Sequence, residues 1–297
     1  MAAARLGGFA LVLAVAFAGA YGIGQAFGPV DSIDSGDSPA EPAAAGHGHG
    51  GGGESGGESG GHAEGEPLPA GLRVTADGHT LEVVDPRGFA FRILDESGDP
   101  VTRFTPNHDK LMHLIVARRD LSGFRHVHPE MSADGTWRVP LDLRDAGDYR
   151  MFADFVPAGR TEPVTLGVDV PVPGDYRPVP MPPPALTAEV DGYRVTLSGH
   201  LDAGTTSRLT LTVDKGGVPV TDLQPYLGAY GHLVALRQGD LAYLHVHPHD
   251  GAAAGPSVTF DTEVPSTGTY RLYLDFKHGD VVRTAEFTAV AEPHEER

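Results

Sequence analysis

The chain has 297 residues, including 40 Gly, 25 Pro, 15 His and no Cys, and 40 acidic against 22 basic side chains give it a formal net charge of −18. That balance disfavours nucleic acid and anionic membrane surfaces as partners and favours cations. The lack of cysteine excludes disulfides, thiolate ligands and a lipid-modified cysteine anchor. The length suits two ordinary domains, and so much Gly and Pro argues for short, turn-punctuated strands over long helices.

In chain order, Gly7 to Phe27 is an apolar run broken only by Gln25, with Arg5 before it and no acidic residue until Asp31. Residues 1–30 therefore read as an apolar N-terminal helix, either a signal peptide or a single membrane anchor. Ala18-Gly19-Ala20 offers a small-residue cleavage site. The apolar run continues past it to about the length of a bilayer span, which tilts the reading to an uncleaved anchor. Positive charge before the segment and acidic bulk after it put the remainder outside the cytoplasm.

Residues 31–67 carry Asp31, Asp34, Asp37, Glu41, Glu54, Glu58, Glu64 and Glu66 with no Lys or Arg, among many Gly and Ser. Such a stretch buries too little apolar surface to order itself and reads as a disordered tether. Its His47, His49 and His62 read first as incidental residues of a solubilising linker and second as a mobile metal-collecting tail.

From residue 68 the signals are short strands bounded by Gly, Asp and Pro: Leu72 to Thr75, Leu81 to Val84, Ala90 to Leu94, His113 to Ala117, Phe124 to His128, Thr136 to Leu143, Tyr149 to Phe155 and Val164 to Val170. The fold class is all-β, and about seven strands at this spacing predict a sandwich of two antiparallel sheets over residues 68–170. Residues 171–184 hold seven prolines in fourteen positions, an extended and semi-rigid linker that separates the modules. A second sandwich is expected over residues 185–292.

The second module repeats the first. Asp95-Glu96-Ser97-Gly98-Asp99-Pro100-Val101-Thr102 matches Asp214-Lys215-Gly216-Gly217-Val218-Pro219-Val220-Thr221, and Asp148-Tyr149-Arg150-Met151-Phe152-Ala153-Asp154-Phe155 matches Thr269-Tyr270-Arg271-Leu272-Tyr273-Leu274-Asp275-Phe276. In both copies a glycine two residues before the tyrosine marks the corner at which, in immunoglobulin-type sandwiches, a tyrosine hydroxyl bonds back to the backbone.

One histidine pattern is carried twice. His113 is followed thirteen residues later by His126-Val127-His128-Pro129, and His232 thirteen residues later by His245-Val246-His247-Pro248. Residues two apart on a strand share a face, so each His-x-His pair projects together while Val127 and Val246 point to the core. A tight turn at Gln238-Gly239 would set His232 opposite His245 and, likewise, His113 opposite His126. Three imidazoles per module on one face suit Cu(II), Zn(II) or Ni(II), and the divalent affinity order favours copper with zinc as the alternative. The competing readings are histidines satisfied by backbone bonds and a pH-responsive patch.

Secondary candidates follow from position. Asp154 and Asp275 lie on the outer faces of matching strands and read as solvated aspartates, with a role as fourth ligand or orienter of a histidine as the sharper option. His108 lacks a counterpart, since Leu227 takes its place, and reads as a loop histidine; His249 would join its set only if the strand ran past Pro248. Met112 and Met131 have no partners in the second module and read as core or loop residues. No HExxH motif occurs, and GxSxG occurs only as Gly53-Glu54-Ser55-Gly56-Gly57 and Gly57-Glu58-Ser59-Gly60-Gly61 within the low-complexity tether, without the strand–turn–helix setting of a nucleophile elbow, so catalysis is not expected.

The segment His108-Asp109-Lys110-Leu111-Met112-His113 through Phe124-Arg125-His126-Val127-His128-Pro129-Glu130 resembles the YtkA-like family of secreted bacterial domains, which are similar in turn to the immunoglobulin-like CopC-like copper-resistance proteins. The resemblance covers both modules and is clearer in the first. It implies tandem immunoglobulin-like β-sandwiches outside the cytoplasm, associated with copper or other heavy metals and without catalysis. The expected function is thus extracytoplasmic metal binding, as copper chaperone, buffer or resistance accessory. The expected ligand is a metal ion, and the expected partner is a copper-handling membrane protein. The alternative is a cell-surface adhesion or protein-interaction module with structural histidines.

Overall fold

The computed structural model describes residues 68–244, 246–249 and 254–294, with only the backbone of His247. The predicted apolar helix (1–30), the tether (31–67) with His47, His49 and His62, and His245 lie outside the described residues. Among the described residues every regular element is a strand, and no helix is long and apolar enough to cross a membrane.

Each module is built from two sheets. In the first, one sheet runs in the order Thr75–Ala76, His79–Asp85, Ala90–Leu94, Trp137–Arg138, Glu130–Met131. The other runs Val164–Val172, Gly147–Pro157, His113–Arg118, Arg125–Val127, with Phe104–Thr105 also paired to Gly147–Pro157. In the second module one sheet runs Thr187–Val190, Tyr193–Ser198, Thr205–Lys215, Ser257–Val264, Val246–Pro248, with Val218–Pro219 paired to Thr205–Lys215. Its other sheet runs Leu201–Ala203, Val281–Pro293, Gly268–His278, Gly231–Arg237, Tyr243–Leu244. All pairings are antiparallel except Leu201–Ala203 with Val281–Pro293.

Alternation along the strands fills a core between each pair of sheets. Phe91, Ile93, Leu114, Val116, Ala153, Phe155 and Leu166 pack with Trp137 in the first module. Val195, Leu211, Leu233, Ala235, Phe260, Leu272, Leu274 and Phe287 do the same in the second. The predicted strand Thr136 to Leu143 shrinks to Trp137–Arg138, because Pro140 has no N–H to give a ladder.

The corner before each long strand is built alike. Gly147 and Gly268 both sit at φ 139°, a conformation that side chains other than glycine rarely adopt. The chain then turns so that Tyr149 Oη donates to the Asp145 carbonyl at 2.9 Å and Tyr270 Oη to the Ser266 carbonyl at 2.8 Å.

The modules do not hang apart on their linker. The strands His113–Arg118 and Gly231–Arg237 are buried on both faces, apart from half-buried Arg237 at the end of the second. One face of each serves its own core, and the other faces the neighbouring module. Ile115, Ala117, Leu121, Phe124 and Phe152 from the first module form a third core with Val234, Leu236, Leu241 and Tyr273 from the second. The backbone bridges the two at Ala70 and Tyr243, where the Tyr243 N–H donates to the Ala70 carbonyl at 3.0 Å. The proline-rich segment also docks: Val179 N–H donates to Asp120 Oδ2 at 2.7 Å, and Met181 packs on the shared core.

Candidate metal centre

The histidines sit at the edge of this shared interface. In the ladder Ile115 lies opposite His126 and Leu114 opposite Val127, which carries His113 opposite position 128 and not 126. In the second module Ala235 pairs with Leu244 and Leu236 with Tyr243, the same register as in the first. The expected two-residue turn is longer. Leu121 and Leu241, at φ 65° and 62°, take left-handed conformations, and the Leu121 and Leu241 N–H groups bond back to the Arg118 and Arg237 carbonyls. Because the register moves by two residues, the facing of every side chain is kept. Val127 and Val246 are half-buried and pack against their own cores.

His113, His126 and His128 are brought together, each with one ring nitrogen within 4.8 Å of the other two. His113 Nδ1 lies 3.1 Å from His126 Nε2 and 3.2 Å from His128 Nε2. Two metal–nitrogen bonds of ~2.0–2.1 Å at a tetrahedral angle would separate their nitrogens by about 3.3 Å, so the spacing already suits one small ion.

For neutral rings, the hydrogen-bond partners assign the protons of His113 and His126. His113 Nε2 faces the Asn107 carbonyl at 2.9 Å and can only donate to it, which leaves Nδ1 as a lone pair in the neutral ring. His126 Nδ1 faces the Asp275 carboxylate at 2.9 Å and donates there, which in the neutral ring leaves Nε2 as a lone pair. Two lone pairs then confront each other at 3.1 Å. A cation between them removes that repulsion.

Burial keeps the His113 and His128 rings neutral. Burial, above all, lowers the His113 imidazole from 6.5 to about 3, with His126, His232 and His108 adding to the effect and the Asn107 carbonyl opposing it. Burial also lowers His128 to about 3, helped by His126 and His113. Neutral imidazole is the ligating form. Met112 is buried in the first core and Met131 packs against it, so neither thioether turns toward the histidines' side of the sheet.

Of the second set, His232 is buried, and its Nε2 donates to the Tyr226 carbonyl at 2.7 Å, the counterpart of the His113–Asn107 bond. Burial is the main reason its imidazole is lowered to about 4. His245 lies outside the described residues, and position 247 belongs to the strand Val246–Pro248, which pairs with Ser257–Val264 in the other sheet. His249 Nδ1 lies 3.3 Å from Asp261 Oδ2 on the surface.

Two residues carry more than the sequence reading gave them. Asp275, read as a solvated aspartate, is 5% exposed and reaches from the second module to His126 of the first. His108, read as a loop histidine, stands between the modules, its ring centroid 6.3 Å from that of His113 and 5.3 Å from that of His232. A cavity of about 340 Å³ opens beside these rings, lined by His108, His113, His126, Asp154, His232 and Tyr243 among others.

Comparison with known proteins gives a family without an activity. A family model described as a domain of unknown function, DUF8832, matches residues 68–176 and again residues 188–293. The chain belongs to this family. The double match covers both modules, so a member of the DUF8832 family here holds two copies of its domain. No curated protein matches the chain. Among solved structures, a DUF4426 family protein from Pseudomonas aeruginosa is 9% identical with a TM-score of 0.28, covering 37% of this chain and 98% of its own. Domains 4 and 5 of the S-layer protein SbsC are 10% identical with a TM-score of 0.21, covering 74% and 91% respectively.

Proposed function

We propose that this DUF8832 protein is a metal-binding protein of the extracytoplasmic space, a copper chaperone, buffer or resistance accessory without catalysis of its own. The observation that carries the reading is the convergence of His113 Nδ1, His126 Nε2 and His128 Nε2 with the first two held as facing lone pairs. Three neutral nitrogen donors without a thiolate favour Cu(II) over Zn(II) by the divalent affinity order. They leave one coordination position for water or a partner's ligand, which suits ion transfer. The anchor-like residues 1–30 and the acidic tether support an outward location beside a copper-handling membrane protein.

The finer fold reading, two immunoglobulin-like sandwiches, draws support from the tyrosine corners at Tyr149 and Tyr270. A second three-histidine site at His232, His245 and His247 draws support from the sequence duplication and from the matching bonds of His113 and His232 to backbone carbonyls. The test is metal analysis after loading with Cu(II) or Zn(II) and dialysis at neutral pH. Near two equivalents are expected, falling by about one in His126→Ala and in His245→Ala. No retained metal overturns the reading, and unchanged stoichiometry in the double variant moves the metal to the tether histidines.

A further inference from the structure

Asp275 belongs to the strand Gly268–His278 of the second module, where it lies across the ladder from His232. Its side chain leaves that module. Oδ2 accepts the His126 Nδ1–H at 2.9 Å, while Oδ1 accepts the Thr284 Oγ1–H at 2.6 Å. Both members of the Asp275–His126 pair are nearly sealed from solvent, with side chains 7% and 5% exposed. A buried carboxylate costs several kcal/mol unless a positive charge answers it, and the ion-pair partner found for this one is an imidazole.

We infer that Asp275 is a positioning residue for a metal ion held by His113, His126 and His128, so that the first module's site is complete only when the second module is docked against it. The inference rests on the metal reading above. Thr284 fixes one carboxylate oxygen, which aims the other at His126 Nδ1. That bond holds His126 in the tautomer whose Nε2 lone pair points to His113 and His128, and it increases the donor strength of that nitrogen. An ion on Nε2 in turn brings positive charge toward the carboxylate through the His126 ring. The arrangement has a counterpart in the first module, where Asp154 lies across the ladder from His113 and accepts a bond from Thr165 Oγ1 at 3.0 Å.

A residue needed only for docking would not have to be a carboxylate, because an amide accepts the same N–H without the cost of burying charge. Module docking and ion binding are therefore coupled, and the coupling is reciprocal: whatever docking adds to affinity, the ion returns to docking.

The test uses the full-length chain in a His245→Ala background, with Cu(II) titrated against a competing chelator and the bound ion followed by electron paramagnetic resonance. Asp275→Ala should weaken copper binding about 10–100-fold and alter the copper hyperfine pattern. Asp275→Asn should fall between this and the parent, since its amide oxygen still accepts the His126 N–H. If Asp275→Ala does not fold, Asp275→Asn alone decides. Unchanged affinity and an unchanged spectrum in Asp275→Asn overturn the inference, provided His113→Ala has lost the ion. Should His113→Ala keep the ion, the metal reading itself falls, and the two failures are thereby told apart.

Discussion

Phe124 of the first module lies face to face with Tyr273 of the second, ring centroids 3.9 Å apart and planes 6° from parallel. Both rings are buried, and the Tyr273 hydroxyl donates to the Leu121 carbonyl in the turn that precedes Phe124. Such a contact makes the second module part of the first one's solvent shield. Phe124→Ala should cost about 3–5 kcal/mol, the usual penalty for removing a buried phenyl. Calorimetry should show one cooperative transition for the parent, shifted as a whole in the variant. Two separate transitions in the parent, only one of which responds, would refute the shared core.

The corner bonds are a smaller contribution with a sharper signature. Tyr149→Phe and Tyr270→Phe each delete one hydroxyl donor to a carbonyl while keeping the ring. Each should cost about 0.5–1.5 kcal/mol in urea unfolding, with no change in the slope of the transition. An equal, near-zero effect from both would mean the corner adds nothing to stability.

Much of this was legible in the sequence because the signals were local and repeated. Period-two alternation gave the strand Ala90–Leu94 residue for residue, and the thirteen-residue spacing brought His113 to the His126 and His128 face despite the longer turn, since a slip of two residues preserves facing. The interface was missed, although Leu114-Ile115-Val116-Ala117 and Leu233-Val234-Ala235-Leu236 are apolar on both faces, the mark of strands covered on both sides. Asp275 was misread for the same cause: an outward face counts as solvated only if nothing docks on it. The role of His108 depends on a contact across the modules, with no periodic signal to announce it.

The buried histidines make stability depend on pH in a stated direction. In the unfolded chain the His113 imidazole takes up a proton near 6.5, whereas in the fold burial and the neighbouring rings delay this to about 3; His232 behaves likewise, down to about 4. Between those limits the unfolded state binds more protons, so stability falls as pH falls and is level above about 6.5. Each such group contributes a slope of at most ~1.4 kcal/mol per pH unit. In the presence of a chelator, the urea midpoint should be lower at pH 5.0 than at pH 7.5. His113→Gln, which does not titrate, should flatten that difference; a profile that is flat in the parent contradicts the neutral buried cluster.

Metal loading should act on the same equilibrium from the other side. An ion bound by His113, His126 and His128 binds the folded chain and not the unfolded one, since the three donors converge only when the Arg125–Val127 strand is paired to His113–Arg118. At free metal one hundred times the dissociation constant the gain is about 2.7 kcal/mol. For a unit of this size each kcal/mol moves the midpoint by roughly 2–4 °C, so Cu(II) should raise Tm by about 5–10 °C. The rise should exceed that for Zn(II), vanish on adding a chelator, and shrink in His113→Gln and His128→Gln. Because protons compete for the same lone pairs, it should also shrink as pH falls below the imidazole range. A shift of equal size in the two variants and the parent would assign the effect to other ligands.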